Sequence, residues 1–343
     1  LKSYRIAAIP GDGIGNEVIP AGIEVLNELA SGFELQFKTF DWGSDRYKRT
    51  GAYIPDGGLD ELKKFDAIFF GAVGAPDVPD HVSLWGLRLP ICQGFDQYAN
   101  VRPARILPGV KSVISNVDWV IVRENTEGEY SGSGGRVHTG LPEEVATETS
   151  VFTRKGVERV HRFAFELAKK RKKHLTLVTK SNAQRHGMVL WDEIFFEVAK
   201  SFPDVKTDRV LVDAMTTRMV LKPGSIDTVV ASNLHADILS DLAAALSGSL
   251  GIAPTANLNP ERKFPSMFEP IHGSAFDITG KGVANPIATF WTAAMMLEHL
   301  GEAKAAARLM KAIETVTARK VFTPDLGGTA RTAEVTRAVI AAL

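Results

Sequence analysis

Thr228-Val229-Val230-Ala231-Ser232-Asn233-Leu234-His235-Ala236-Asp237-Ile238-Leu239-Ser240-Asp241 is an apolar run followed by an acid repeated at four-residue spacing. The first four residues have the length and β-branched content of a buried strand. The rest predicts a helix that starts at the carboxyl end of that strand. On a helix, residues four apart point the same way, so the two carboxylates repel unless both face water or share a cation. In open α/β sheets ligands bind at this end of the strands. A hard divalent ion held by oxygen ligands is one reading, with Asp213 in Val210-Leu211-Val212-Asp213-Ala214 as a third carboxylate. The competing reading is a helix start whose acids simply suit the dipole.

Working outward, similar strand-sized runs recur at Ile6 to Ile9, Leu35 to Phe40, Ala67 to Ala72, Val117 to Val122, Leu175 to Val178 and Val210 to Val212. Helical patterns lie between them, at Glu17 to Leu29, Gly156 to Lys173 and Leu190 to Ser201, and from Ala288 onward the chain reads as mostly helix. This alternation predicts an α/β protein. Two stretches break it. Glu129 to Thr153 reads as an exposed hairpin, an arm suited to pairing with another subunit. Gly251 to Pro286, dense in Gly, Pro and Asn, reads as a long functional loop or several short ones.

The chain has 343 residues, enough for two domains or one large α/β unit. Forty basic residues balance forty acidic ones. That balance argues against a protein built to grip nucleic acid or an anionic membrane, and it leaves room for small anionic substrates. The run Lys169-Lys170-Arg171-Lys172-Lys173 reads as a solvated helix end. One cysteine, Cys92, excludes an internal disulfide and a cysteine-based zinc site. No apolar run reaches membrane-spanning length, and Leu1 to Ile6 shows no signal-peptide pattern, so a soluble cytoplasmic protein is the expectation.

Several further stretches carry chemistry. Pro10-Gly11-Asp12-Gly13-Ile14-Gly15-Asn16-Glu17 resembles a dinucleotide fingerprint superficially, but Asn16 stands where the third glycine belongs, which favours a tight strand-to-helix turn near an anionic ligand. Glu269 to Pro286 mixes a histidine, backbone amides, Asp277 and Asn285 in one glycine-rich loop suited to an adenine and a ribose. Asp277 would accept from a ribose hydroxyl and repel a 2′-phosphate, favouring NAD over NADP. Arg102 in Asn100-Val101-Arg102-Pro103 and Arg123 in Arg123-Glu124-Asn125-Thr126-Glu127-Gly128 offer forks for carboxylates, although each alone is more often a surface ion pair. Lys180, after a strand, would titrate near neutrality if partly desolvated, and Tyr130 offers a proton-donating hydroxyl.

Taken together, these motifs with Thr179-Lys180-Ser181-Asn182, Asp213-Ala214-Met215 and His272-Gly273-Ser274-Ala275 resemble the β-decarboxylating dehydrogenases, the isocitrate/isopropylmalate dehydrogenase family. The resemblance runs from Gly11 to Asn285. It implies a non-Rossmann two-domain α/β fold with a large mixed sheet flanked by helices. Residues 1–97 with 254–343 would form a discontinuous cofactor-side domain, and 98–253 the dimerising metal and substrate domain with its arm near 130–153. It also implies Asp237 and Asp241, with Asp213 of a second subunit, as ligands of Mn²⁺ or Mg²⁺. Arg102 and Arg123 would be substrate arginines, Tyr130 the acid and the second subunit's Lys180 the base. His272, Gly273, Ser274, Ala275, Asp277 and Asn285 would bind NAD, in a homodimer with shared active sites. K⁺ is a further candidate ion.

Substrate choice falls to the segment before Arg102. Relatives usually place an arginine ten positions earlier, where this chain has Cys92. Arg88 lies four residues before that, with Pro90 disturbing the local helix. Arg88 and Trp85 do not suit an isopropyl group. Phe95-Asp96-Gln97-Tyr98 and Trp85-Gly86 resemble the tartrate and D-malate branch, so the expected substrate is a small dicarboxylic 2-hydroxy acid, with Arg88 beside it. The expected reactions are oxidation of tartrate and oxidative decarboxylation of D-malate to pyruvate and CO₂, with decarboxylation of meso-tartrate to glycerate as a further activity. The alternative is 3-isopropylmalate dehydrogenase. A catalytically silent regulatory subunit is disfavoured by retention of Lys180, Tyr130 and the aspartates, and a diphosphate-acting magnesium enzyme by the many strands.

Overall fold

The computed structural model describes residues 1–343. Its strands are β1 (Lys2–Gly11), β2 (Phe33–Thr39), β3 (Ala67–Ala72), β4 (Ala99–Arg105), β5 (Asp118–Glu124), β6 (Gly134–Val137), β7 (Val145–Glu148), β8 (His174–Thr179), β9 (Lys206–Leu211), β10 (Thr228–Ala231), β11 (Pro254–Leu258) and β12 (Ser266–Pro270). Strands alternate with helices, and the pairing is mixed. The fold is α/β, as the alternation of runs predicts, with a mixed sheet flanked by helices, as the family resemblance implies.

Two compact units share the chain. One comprises Leu1–Gln97, Arg105–Val113 and Ala244–Leu343, and the other comprises Tyr98–Ala104 and Ile114–Ala243. In the terminal unit the strand order is β2-β1-β3-β12-β11. All neighbours there are parallel except β11 and β12, which run antiparallel. The sheet is covered on both faces, and the two-residue period of β1 shows it. Ile6 and Ala8 enter one core with Phe69, Phe268 and Phe290, whereas Ala7 and Ile9 enter another with Trp42, Phe70, Cys92 and Phe95.

The stretch expected to be one long loop or several short ones, Gly251 to Pro286, contains β11 and β12 between short connections. Proline and asparagine disguised them. Pro254 opens β11 and Pro270 closes β12, the strand-end positions where a missing N–H costs least. The connection 259–265 between the two strands and the later part from Ile271 to Pro286, before the helix Ile287–Leu300, lack regular structure.

In the central unit the order is β4-β5-β10-β8-β9. The pairs β5–β10, β10–β8 and β8–β9 are all parallel, with Ala231 opposite Arg123 and Thr179 opposite Leu211. That register brings the carboxyl ends of four strands to one edge. Arg123 lies at the end of β5, Asn233 just beyond β10, Lys180 just beyond β8, and Asp213 in the first turn of the helix Val212–Leu221 after β9. The hairpin of β6 and β7 is antiparallel and exposed throughout, with Val137, Leu141 and Val145 open to solvent. Behind the sheet His161 is fully buried, edge-on to Trp191 and Phe195, and burial pushes its pKa down to about 3.

Candidate active site

Within the central unit the helix Asn233–Ser247 begins two residues after β10, which aims its first turns along the carboxyl edge. Asp237 is the focus there. Arg123 Nη1 donates to Asp237 Oδ1, Arg102 Nη1 donates to the same oxygen at 3.3 Å, and the Tyr130 hydroxyl donates to Oδ2 at 3.0 Å. Both arginines are buried, at 6% and 2% exposure. A buried guanidinium must be satisfied on every side. Asn100 Oδ1 accepts from Arg102 Nε at 2.8 Å, Ser240 Oγ from Arg102 Nη1 at 2.6 Å, and Asn233 Oδ1 from Arg123 Nε at 2.8 Å. Arg123 also lies over the Tyr130 ring, 5.2 Å from its centroid.

Sequence reasoning missed Asn100, Ser240 and Asn233 as partners of these arginines. Asn100 carried a usable signal, because residues two apart on a strand share a face. The link between Asn233 and Arg123 spans 110 positions and left none.

Asp241 stands at the surface one turn beyond Asp237 and makes no hydrogen bond or ion pair. Partial desolvation, and then the neighbouring Asp237 charge, push its carboxyl above the ordinary range against the pull of Arg102 and Arg123. An unpaired carboxylate whose ionisation is resisted by a second one is the donor set a divalent cation would satisfy, so the pair fits such an ion. Two carboxylates are not a complete site. No group of three or more acidic, histidine or cysteine side chains in the chain is arranged to hold a metal, so Asp213 does not join Asp237 and Asp241 within one chain.

Asp213 is instead paired with Lys180, whose Nζ donates to Oδ1 at 2.6 Å. That ammonium holds the Asp213 carboxyl below its usual range. Near Tyr130, both carboxylate oxygens of Glu129 and Nδ1 of His235 are buried with no hydrogen-bond partner.

The terminal unit carries the expected dinucleotide residues on the segment after β12. His272 Nε2 is buried without a partner, and burial keeps the imidazole pKa below its ordinary value. Gly273 faces open space, Ala275 adopts a left-handed conformation (φ 44°), and Asp277 is exposed. These features fit a neutral ring beside an adenine and a free carboxylate beside ribose hydroxyls. Asn285 is committed elsewhere, donating to Asp325 at 3.0 Å and accepting from the backbone N–H of Ile287 at 3.0 Å.

The first glycine turn packs under this loop. A Cβ on Gly13 would lie 2.0 Å from the carbonyl oxygen of Ser274, and the Ile14 N–H donates to that oxygen at 2.8 Å. Protein, rather than a pyrophosphate, explains that glycine. Glu17 reinforces the contact by accepting from the N–H groups of Gly280 and Gly282.

Arg88 sits in a helical segment running from Asp80 to Gly94, interrupted by a π-turn over Leu84–Arg88 in which the N–H of Leu89 reaches back to Leu84. Pro90 follows directly, its missing N–H accommodated by the wider turn. Arg88 Nε donates to Glu269 Oε1 at 2.7 Å and Nη2 to Asn257 Oδ1 at 3.1 Å, so two of its donors serve a buried ion-pair network inside the terminal unit. Cys92 is fully buried in an apolar core.

Comparison with known proteins shows the family. The family model described as "Isocitrate/isopropylmalate dehydrogenase" matches residues 5–339. The chain belongs to that family. A protein described as a probable tartrate dehydrogenase/decarboxylase of Agrobacterium vitis is 69% identical over 100% of this chain and 98% of its own length. The D-malate dehydrogenase (decarboxylating) of Escherichia coli K12 is 51% identical over 99% of this chain and 98% of its own. Among solved structures, the isocitrate dehydrogenase of Methylococcus capsulatus superposes with a TM-score of 0.90 at 37% identity, covering 99% of both chains.

Proposed function

We propose that this chain is an NAD-dependent, divalent-metal-dependent decarboxylating dehydrogenase that oxidises tartrate and converts D-malate to pyruvate and CO₂, with decarboxylation of meso-tartrate to glycerate as a further activity. The observation that carries the reading is the convergence of Arg102, Arg123 and Tyr130 on Asp237. Two buried guanidinium groups and a phenol around one metal-type carboxylate make a site for a small, doubly anionic, hydroxylated substrate. The names of the curated relatives point to the same substrates.

Each residue has a task. Arg102 and Arg123 grip substrate carboxylates and hold the hydroxylated carbon in one orientation, an entropic gain realised before any bond changes. Lys180, once its ammonium has passed a proton to solvent, accepts the proton of the 2-hydroxyl as C2 is oxidised. Mn²⁺ or Mg²⁺, when bound at Asp237 and Asp241, supplies the Lewis acidity that lowers the pKa of that hydroxyl and stabilises the developing enolate. NAD, when bound on the loop of His272, Gly273, Ser274, Ala275 and Asp277, supplies the hydride acceptor. Tyr130 delivers a proton to the enol carbon left by the departing CO₂.

A homodimer completes the site in this reading. The incomplete carboxylate pair, the unpartnered Glu129 and His235 atoms and the exposed apolar hairpin each leave a place for a second copy, which would contribute Asp213 and Lys180. A chain with one cysteine, and that one buried, fits the cytoplasm, and no helix is long and apolar enough to cross a membrane. Turnover of D-malate, (+)-tartrate, meso-tartrate, 3-isopropylmalate and isocitrate, each with NAD and Mn²⁺, tests the proposal. The highest kcat/KM on D-malate or tartrate is expected, and a preference for 3-isopropylmalate would overturn the substrate assignment.

A further inference from the structure

Within the terminal unit, a chain of polar contacts, half-buried at the loop and buried further in, runs from the loop after β12 to the segment that carries Arg88. Ser274 Oγ donates to the carbonyl of Gly74 at 2.7 Å, and the N–H of Gly74 donates to Asp12 Oδ2 at 2.8 Å. Ser44 reaches Asp12 twice, through its N–H at 2.7 Å and its hydroxyl at 2.6 Å. Because that hydroxyl proton is spent on Asp12, the contact between Ser44 Oγ and the Tyr53 hydroxyl at 2.9 Å must be donated by Tyr53. Asp12, Ser44 and Tyr53 are all nearly inaccessible to solvent.

The ring of Tyr53 then seats the helical segment. A Cβ on Gly86 would lie 2.4 Å from Tyr53 Cδ2, so the backbone rests directly on the ring inside the π-turn Leu84–Arg88. Two residues on, Arg88 pairs with Glu269, which stands three residues before His272 on the strand leading into the loop. The contacts therefore close a circuit, through hydrogen bonds on one side and an ion pair on the other. Fully satisfied buried networks of this kind lock their members into one arrangement.

We propose that Tyr53 is a positioning residue that binds the Arg88 segment and the dinucleotide loop into one rigid body, so that nucleotide affinity and substrate choice depend on each other. Tyr53 touches neither ligand in this scheme and acts through Ser44, Asp12 and Gly86. The substrate half of the inference rests on the proposed function, whereas the nucleotide half needs only the dinucleotide loop.

Tyr53→Phe is the informative variant, because it keeps the ring beneath Gly86 and deletes the hydroxyl that bonds Ser44 on one side and Ser83, just ahead of the π-turn, on the other. Hydrogen exchange on the protein without nucleotide should then quicken together in 84–94 and 271–286, with other segments unchanged. The NAD dissociation constant, measured by titration calorimetry, should rise by about fivefold or more, and the D-malate to tartrate ratio of kcat/KM should shift with it. Ser44→Ala should give the same pattern. Tyr53→Phe and Ser274→Ala combined should be less than additive for NAD affinity, since both break one circuit. Unchanged exchange in both segments with NAD affinity within about twofold of the parent would overturn the inference. If the parent turns over none of the hydroxy acids, the proposed function fails while the exchange and calorimetry still decide the role of Tyr53.

Discussion

Lys180 and Asp213 face each other at 2.6 Å across the ends of the parallel strands β8 and β9, so the expected base and the expected third metal ligand are paired. In the proposed mechanism each serves a second copy, and the pairing holds both in place until substrate and cation arrive. Removing the ammonium tests this directly. Lys180→Met should lower kcat on D-malate by about 10² to 10⁴, the range of general acid–base catalysis. Size-exclusion chromatography should show the assembly unchanged, and near-normal turnover would remove Lys180 from the mechanism.

Asp241 has no partner in the chain, so substituting it leaves no buried charge behind. Asp241→Asn should weaken Mn²⁺ binding by about tenfold or more, read by titration calorimetry, with little change in Tm. Unaltered affinity would return the Asp237/Asp241 pair to the role of a decorated helix.

Arg88 and Glu269 should show the signature of a buried ion pair. Arg88→Met strands the Glu269 carboxylate in the interior and should cost about 3 to 5 kcal/mol of stability. Adding Glu269→Gln should return part of that loss in chemical denaturation, since the stranded charge is gone. A purely substrate-binding Arg88 predicts otherwise: a raised KM for D-malate with stability untouched.

Glu124 follows the buried arginine Arg123 and is itself 1% exposed, accepting from Thr126 and Glu127; burial raises its pKa to about 7. A carboxyl raised in the folded state binds more protons folded than unfolded. Its contribution is therefore fully present below the unfolded value near 4.5 and is lost as pH rises through about 7. Across that window it should remove roughly 3 kcal/mol of stability. Glu124→Gln cannot ionise, so its Tm should fall less between pH 5 and pH 7 than the parent's. Parallel curves for the two proteins would contradict the assignment.

Much of this molecule is legible in its sequence, and the limits have physical causes. The strand Thr228–Ala231 and the helix after it follow from local periodicity, and so do Asp237 and Asp241 on one face of that helix. Strands β11 and β12 were hidden because proline and asparagine mark their ends as well as true loops. The arginine partners Asn233 and Ser240 lie more than a hundred positions from the residues they satisfy. Arg88 was singled out for its charge, but its pairing with Glu269 joins a helical turn to a strand 181 positions away and no local pattern announces it.

The π-turn at Leu84–Arg88 bears on how relatives of this chain can be compared at all. Matching residues by number assumes that a helix advances at constant pitch, and one surplus residue in a turn rotates everything beyond it by about 100°. Past that point Cys92 is turned into the apolar interior, so the same ordinal position need not occupy the same place in space. Gain or loss of a single residue here would turn the wheel again. Selectivity within such a family is then free to diverge by a shift of phase, with no exchange of one side-chain chemistry for another.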